Sequence, residues 1–212
     1  MGLTEGYTTA LGNSLAEHTE KRSRFIANLA HCETELEAAE FISSVKAQHR
    51  EARHNCYAYS VEAGALRRFS DDGEPHGTAG KPILSAIDGA GLTNVCIVVT
   101  RYFGGVLLGT GGLVRAYAKA ASAAADKAER AVMTSGTVFS CTCDYSEAER
   151  LSRLIADFGG AEESTEYTER VKYEFFLRET EKNGFLEKLR ESFGARIAAE
   201  EIKTEERPMK AE

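Results

Sequence analysis

The residues best suited to binding a ligand lie in a glycine-rich segment, VVTRYFGGVLLGTGGLVRAY, with Arg101 before the loop and Arg115 after it. Glycines let a backbone approach a ligand closely, and the free N–H groups that begin the following helix attract anions. The pattern indicates a binding site for phosphate or a nucleic-acid backbone. The alternative is that the glycines serve only tight turns and helix-to-strand packing. The glycines concerned are Gly104, Gly105, Gly109, Gly111 and Gly112.

The loop does not match the spacing of known nucleotide-hydrolysing sites. It is neither GxxxxGK[ST] nor a dinucleotide fingerprint with a downstream acidic residue. Nucleotide hydrolysis therefore has little support from the sequence.

A second candidate anion cradle is the segment GTAGKP. Thr78 has the residue type that caps a helix start, and Lys81 lies within reach of a phosphate held there. The alternative is an ordinary capped helix with no ligand.

The acidic segment SDDGEP precedes this cradle. Asp71, Asp72 and Glu74 could gather around a divalent cation. Asp, Gly and Ser are also the residues that a tight turn requires, so a purely structural turn is the competing interpretation.

The segment HREARHNCYAY combines cations with aromatic rings. His54 and Cys56 share one face of a predicted strand, but residues two apart stand about 7 Å apart, too far for a nucleophile–base hydrogen bond. Backbone contact and base stacking suit the segment better. The residues we assign to this role are Arg50, Arg53, His54 and Tyr57. Lys119, on the predicted helix at 113–131, is a further candidate for phosphate contact.

The elements that must position these residues follow from hydrophobic periodicity. We predict strands at 15–21, 24–32, 54–61, 66–69 and 94–103, and helices at 33–49, 77–89 and 113–131. The run NVCIVVTRYF has the continuous β-branched character of a centrally buried strand. On the last helix, Leu113, Tyr117 and Ala121 form the predicted buried face.

The remainder of the chain shows a regular alternation of strands and helices. Strands at 137–145, 162–168, 170–177 and 196–202 enclose helices marked by Leu151 to Phe158 and Phe185 to Phe193, the latter stopped at Gly194. The order βαββαβ predicts a ferredoxin-like sandwich with both helices on one sheet face. The CxC pair at Cys141 is too short to hold zinc and is expected to fill the core.

Charge and glycine content place a domain boundary after residue 134. Residues 1–134 carry 14 Lys and Arg against 15 Asp and Glu, whereas residues 135–212 carry 12 against 18. Of the 19 glycines, 14 precede residue 135. We therefore expect a binding domain at 1–134, a ferredoxin-like domain at 135–207 and a frayed tail at 208–212.

Composition restricts the class of protein. The 212 residues are 42% hydrophobic and 28% charged, which excludes global disorder. A net charge of −7 means that any polyanion site is a local patch. Five scattered cysteines form no disulfide framework and favour the reducing cytoplasm. No window approaches the roughly 20 apolar residues of a membrane helix, so a soluble protein is expected.

Several long strings in the first domain together resemble the IMPACT family, in the form of its bacterial YigZ-like members. They are RSRFIA, HNCYAY, SDDGEPHGTAGKPIL and VVTRYFGGVLLGTGGLVRAY, within residues 15–132. The resemblance implies an α+β fold of two domains. The first would have the left-handed βαβ fold of a small-subunit ribosomal protein and of elongation factor G domain four, and the second would resemble domain five of that factor. It also implies an association with translation.

We therefore expect a non-enzymatic, cytoplasmic RNA- or ribosome-binding protein, with no catalytic residue, metal ion or cofactor. One alternative is an enzyme acting on a small phosphorylated substrate through the glycine-rich loop. Another is a protein-interaction module whose acidic carboxyl-terminal domain contacts a protein partner. No membrane association is expected.

Overall fold

A computed structural model describes residues 6–210 of the chain. The protein has a mixed α+β fold that divides into two compact units. The first unit comprises residues 1–133 and 208–212, and the second comprises residues 134–207. No helix within the described residues is both long and apolar enough to cross a membrane.

The first unit is built on an antiparallel sheet of five strands with the order β2-β3-β6-β4-β5. The strands are β2 (Ser14–Glu20), β3 (Ser23–His31), β4 (His54–Val61), β5 (Leu66–Ser70) and β6 (Val95–Tyr102). Strand β6 lies at the centre and is buried from Val95 to Arg101. The predicted central strand is therefore confirmed.

Three helices cover the two faces of this sheet. They are α1 (Glu35–Gln48), α2 (Gly80–Ala90) and α3 (Gly109–Lys127). Helices α2 and α3 bury one sheet face in a shared apolar core, while α1 packs against Tyr59, Cys96 and Val98 on the other face. The predicted buried face of α3, which includes Leu113, Tyr117 and Ala121, is confirmed.

Local sequence signals explain the ends of these helices. The hydroxyl of Thr34 accepts a hydrogen bond from the N–H of Glu37, which caps the start of α1. Helix α2 ends at Ala90, and the next residue, Gly91, has a φ of 65°, which suits a residue without a side chain. The predicted end at Gly89 was therefore one residue early.

Two strands complete the first unit. Strand β1 (Thr8–Leu11), which the periodicity did not indicate, pairs antiparallel with Glu129–Val132 at the start of β7 (Glu129–Cys143). Residues 129–131 were predicted to end a helix, but they are strand because α3 stops at Lys127. Glu129, Arg130 and Ala131 all have helix propensity, and strand pairing overrides it.

The second unit follows the order strand, helix, strand, strand, helix, strand. Its elements are the end of β7, α4 (Tyr145–Asp157), β8 (Ala161–Tyr167), β9 (Val171–Arg178), α5 (Glu179–Phe193) and β10 (Ala199–Lys210). Strand β9 pairs antiparallel with both Gly136–Cys143 and β8. Helices α4 and α5 bury a core that contains Phe139, Cys141 and Phe175.

The carboxyl-terminal end differs from its prediction. Strand β10 runs to Lys210 and pairs with β7, so residues 208–210 are strand and the predicted frayed tail is wrong there. Polar composition misled the prediction because an exposed edge strand is also polar. Residues 211 and 212 lie outside the described residues.

Candidate functional site

The acidic turn between β5 and α2 is tied into the first unit by a buried carboxylate. Glu74 accepts a hydrogen bond of 2.6 Å from Arg101 Nη1 and one of 2.9 Å from the Tyr117 hydroxyl. The side chains of Glu74 and Arg101 are almost wholly buried. The positive charge of Arg101 is therefore matched inside the protein.

Asp71 caps helix α2 from the preceding turn. Its carboxylate accepts hydrogen bonds from the backbone N–H groups of Gly77, Ala79 and Gly80, at 2.8 to 3.0 Å. Burial alone would raise the pKa of Asp71, but these three donors outweigh it and hold the pKa below its ordinary value. The cradle predicted for a phosphate thus already holds an anion.

Thr78 does not cap the helix, contrary to the prediction. Its hydroxyl donates to the carbonyl of Pro75 at 2.6 Å. Helix α2 begins at Gly80 after Ala79, and the cap comes from Asp71 earlier in the chain. The predicted start at residue 77 was therefore three residues early, and the identity of the cap depends on the path of the turn.

The third acidic residue, Asp72, has different partners. Its two carboxylate oxygens accept from Lys46 Nζ at 2.9 Å and from the backbone N–H of Asn55 at 2.7 Å. Asp71, Asp72 and Glu74 therefore point to separate protein groups. Within residues 6–210, no cluster of three or more His, Cys, Asp or Glu residues has the geometry of a metal site.

The five glycines of the loop serve different purposes. A Cβ on Gly104 would overlap the backbone of Arg22, and the N–H of Gly104 donates to the Ser23 hydroxyl. Gly104 thus permits close packing against the β2–β3 turn. Gly105 and Gly109 have φ values of 82° and 69°, which L side chains rarely adopt.

Helix α3 begins four residues earlier than predicted. Gly109, Gly111 and Gly112 therefore belong to its first turn, and the preceding residue, Leu108, provides no capping side chain. The glycine-rich loop proper is limited to residues 103–108.

The loop forms one wall of a cleft of about 600 Å³, which we call the Arg53 cleft. The segment that leads into β4 and the last residues of β6 also line this cleft. Phe103 and Leu107 expose 57% and 83% of their surface, so the loop presents two neighbouring apolar side chains to solvent. The lining residues are Glu51, Ala52, Arg53, His54, Arg101, Tyr102, Phe103 and Leu107.

Arg53 and His54 differ in how many of their polar atoms are already hydrogen-bonded within the protein. Arg53 is exposed and forms no ion pair within residues 6–210. His54 is half-buried, and its Nδ1 lies 2.8 Å from the carbonyl oxygen of Asp72. Because a carbonyl oxygen only accepts, Nδ1–H donates this hydrogen bond.

The remaining predicted site residues lie elsewhere on the first unit. Lys81 lines a second groove between α2 and α3, of about 390 Å³, together with Val114 and Ser122. Arg115 and Lys119 are exposed on one stripe of α3, and Arg50 is exposed after α1. The structure therefore groups Arg53, His54 and Arg101 in one cleft and leaves the others outside it.

Tyr57 is separated from His54 by the sheet itself. It alternates with His54 on β4 and stacks on Tyr59 at a ring-centroid distance of 6.2 Å, beside the core under α1. Tyr57 and His54 therefore face opposite sides of the sheet, and the nucleic-acid contact of Tyr57 stays a prediction.

The thiol nearest the cleft has the properties of a structural group. Burial raises the pKa of Cys56 to about 12. Its Sγ lies 2.9 Å from the carbonyl oxygen of Asp71 and 3.4 Å from the Tyr117 hydroxyl, while His54 bonds to Asp72. Cys56 and His54 thus have separate partners and do not form a nucleophile–base pair.

Sequence reasoning missed the two apolar residues that dominate the cleft wall. Phe103 and Leu107 stand inside the string that identified the loop, but only the glycines and arginines of that string were considered as ligand contacts. Their position between glycines was the available signal, because a flexible glycine-rich loop at a sheet end is rarely packed into a core.

Profiles of two protein families match the chain. The Impact N-terminal domain matches residues 21–125, and a domain of unknown function, DUF1949, matches residues 141–196. These matches fall one in each compact unit.

Individual relatives cover most of the chain. The "IMPACT family member YvyE" of Bacillus subtilis is 39% identical over 171 residues, which is 79% of this chain and 77% of the relative. The "IMPACT family member YigZ" of Escherichia coli is 40% identical and covers 69% and 74%, respectively. A solved structure described as the "Crystal structure of an hypothetical protein" superposes with a TM-score of 0.62 at 33% identity, covering 95% of this chain and 99% of its own.

Proposed function

This chain belongs to the IMPACT family, and on that premise we propose that it is a non-enzymatic RNA- or ribosome-binding protein associated with the regulation of translation. The observation that carries the proposal is the Arg53 cleft. It combines an exposed cation, Arg53, and an exposed carboxylate, Glu51, with a half-buried imidazole and two exposed apolar side chains at a sheet end. Cations paired with exposed aromatic surface are what RNA-binding sites use.

The charge distribution of the first unit supports an anionic partner. Arg50, Arg53, Lys81, Arg115 and Lys119 are exposed, and none forms an ion pair within the described chain. Arg101 is excluded from this set because Glu74 already neutralises it. With an overall charge of −7, attraction of RNA depends on such local cations.

The alternative of an enzyme for a small phosphorylated substrate has less support. The α2 cradle is filled by Asp71, and Gly104 is required for packing against Arg22. Cys56 is buried and protonated at neutral pH, since its pKa is about 12. These contacts remove the strongest candidate nucleophile and one of the two phosphate cradles.

We propose finer fold likenesses on the same family premise. Two helices on one face of the second unit's sheet, in the order βαββαβ, support a ferredoxin-like domain similar to domain five of elongation factor G. For the first unit we propose the left-handed βαβ fold of domain four. A cytoplasmic location is part of the same proposal.

The salt dependence of RNA binding tests this function. Titration of fluorescein-labelled single-stranded RNA with the full chain, followed by anisotropy, should give an affinity that falls as salt rises. Each phosphate contact contributes about −0.7 to the log–log slope. Arg53→Ala should therefore make the slope shallower by about 0.7 and weaken different sequences similarly.

Arg153→Ala is the matched control, because Arg153 is 75% exposed on α4 of the second unit and pairs only locally with Glu149. Its slope and affinity should equal those of the unaltered chain. If the unaltered chain binds no RNA at low salt and does not associate with purified ribosomes, the proposed function is wrong and a protein partner becomes the leading candidate.

A further inference from the structure

Phe103 is held by a column of side chains that begins in the core. The ring of Phe25 meets the Tyr117 ring edge-on at a centroid distance of 5.1 Å. The guanidinium carbon of Arg101 lies 5.6 Å from the centroid of Phe25 and 5.6 Å from the centroid of Phe103. The column therefore supports an aromatic ring at the surface from a buried base.

This support accounts for an otherwise costly exposure. Phe103 keeps 57% of its surface in contact with solvent although the ring is fixed against Arg101. A supported ring with a free face is a platform on which another flat group can stack without further loss of side-chain freedom. Leu107, exposed on the same loop, supplies a second apolar surface in the Arg53 cleft.

Arg101 is suited to this support because it is itself held in place. It is 92% buried in total, and its Nη1 donates to Glu74 at 2.6 Å.

From these observations we infer that the Arg53 cleft binds one unpaired RNA base, stacked on the free face of Phe103, with the adjoining phosphate at Arg53. The inference rests on the proposed function and specifies its ligand as single-stranded RNA. In an A-form duplex every base is already stacked on its neighbours and is unable to enter such a cleft, whereas an unpaired base can be splayed out. Arg101, whose charge is paired with Glu74, acts as a positioning residue for Phe103.

The chain contains no tryptophan, so a single introduced indole reports on one site. Phe103→Trp preserves the aromatic platform and should retain RNA affinity. Oligouridylate should quench its fluorescence in parallel with the anisotropy of a labelled strand. Leu36→Trp places the reporter on α1, where Leu36 is exposed outside the cleft, and its emission should not change.

Phe103→Leu removes the platform while keeping an apolar side chain at an exposed position. Loss of one stacked base should weaken single-strand binding by about tenfold. A duplex of the same length should bind the unaltered chain more weakly than the single strand and be insensitive to this substitution. Circular dichroism and thermal unfolding of each variant verify that the fold is retained.

The outcomes separate the inference from the function that it rests on. If RNA binds with the salt dependence described above, but Phe103→Trp is not quenched and Phe103→Leu binds normally, the base-stacking inference is wrong and the RNA-binding function stands. Equal affinity for duplex and single strand also overturns the inference. Absence of any RNA binding by the unaltered chain removes both.

Discussion

At the scale of single residues, Asp71 shows how a polar side chain can imitate a ligand. The sequence places it in an acidic turn, and the structure directs its carboxylate at three backbone N–H groups that begin α2. The first N–H groups of a helix have no partner within the helix and carry partial positive charge, and the carboxylate of Asp71 satisfies both from within the chain. The same contacts account for the lowered pKa of Asp71.

Asp71→Asn should destabilise the protein by about 2 kcal/mol at neutral pH, because a neutral amide replaces charge-assisted acceptors. Since the folded pKa lies below the ordinary value of 3.8, the contribution of Asp71 is fully present above that pH. It is lost as the pH falls through the folded pKa. Urea unfolding should show the difference between the two proteins shrinking in that acidic range.

His76→Ala is the control for this prediction, because His76 stands beside Asp71 but is almost wholly exposed. We expect it to change stability by less than about 0.5 kcal/mol. A stability difference between Asp71→Asn and the unaltered chain that stays constant down to strongly acidic pH would contradict the assigned role.

At the scale of elements, the glycine-rich loop and α3 illustrate that neighbouring glycines meet different constraints. Gly104 lies against the backbone of Arg22. Gly111 lies in the first turn of α3, where a Cβ would meet only the end of the Arg115 side chain, at 3.6 Å. One position has no room for a methyl group, and the other has room and a helical conformation.

Gly104→Ala should therefore destabilise the protein by about 2 kcal/mol, because the added methyl forces the β2–β3 turn and the loop apart. Gly111→Ala is its matched counterpart and should be neutral or stabilising by about 0.5 kcal/mol, since alanine favours a helix over glycine. Urea denaturation measures both. Equal effects of the two substitutions would show that Gly104 is not closely packed against the backbone of Arg22.

At the scale of the whole molecule, each of the two units has its own apolar core. The core under α2 and α3 includes Phe25 and Tyr117, and the core of the second unit includes Leu151 and Phe175. We therefore expect each unit to have its own free energy of unfolding. A cavity made in one core should destabilise mainly the unit that contains it, because it removes contacts only within that core.

Leu151→Ala should destabilise the second unit by about 3 kcal/mol, since Leu151 is fully buried. Hydrogen exchange followed by mass spectrometry should show faster exchange in α4 and β9 and little change in β3 and β6. The exposed Leu36→Ala should leave exchange unaltered throughout. A uniform acceleration across both units would indicate that they unfold as one.

Much of the fold could be predicted because hydrophobic periodicity is a local property. The strand HNCYAYSV, the central strand from Val95 and the buried face of α3 all follow from spacing alone. Strand β1 and the strand character of residues 129–131 could not be predicted, because each depends on pairing with a distant partner. Likewise, β10 is strand to Lys210 through its pairing with β7.

The candidate site divides in the same way. Residue types by themselves determined that the glycine-rich motifs lie in the first 134 residues, which hold 14 of the 19 glycines, and the strings there determined the family. Only the tertiary structure decided that Arg101 is neutralised by Glu74, that Asp71 fills the α2 cradle and that Phe103 stands exposed. Whether a charge is free or a ring is buried depends on which distant groups the fold brings beside it, and no local pattern encodes that.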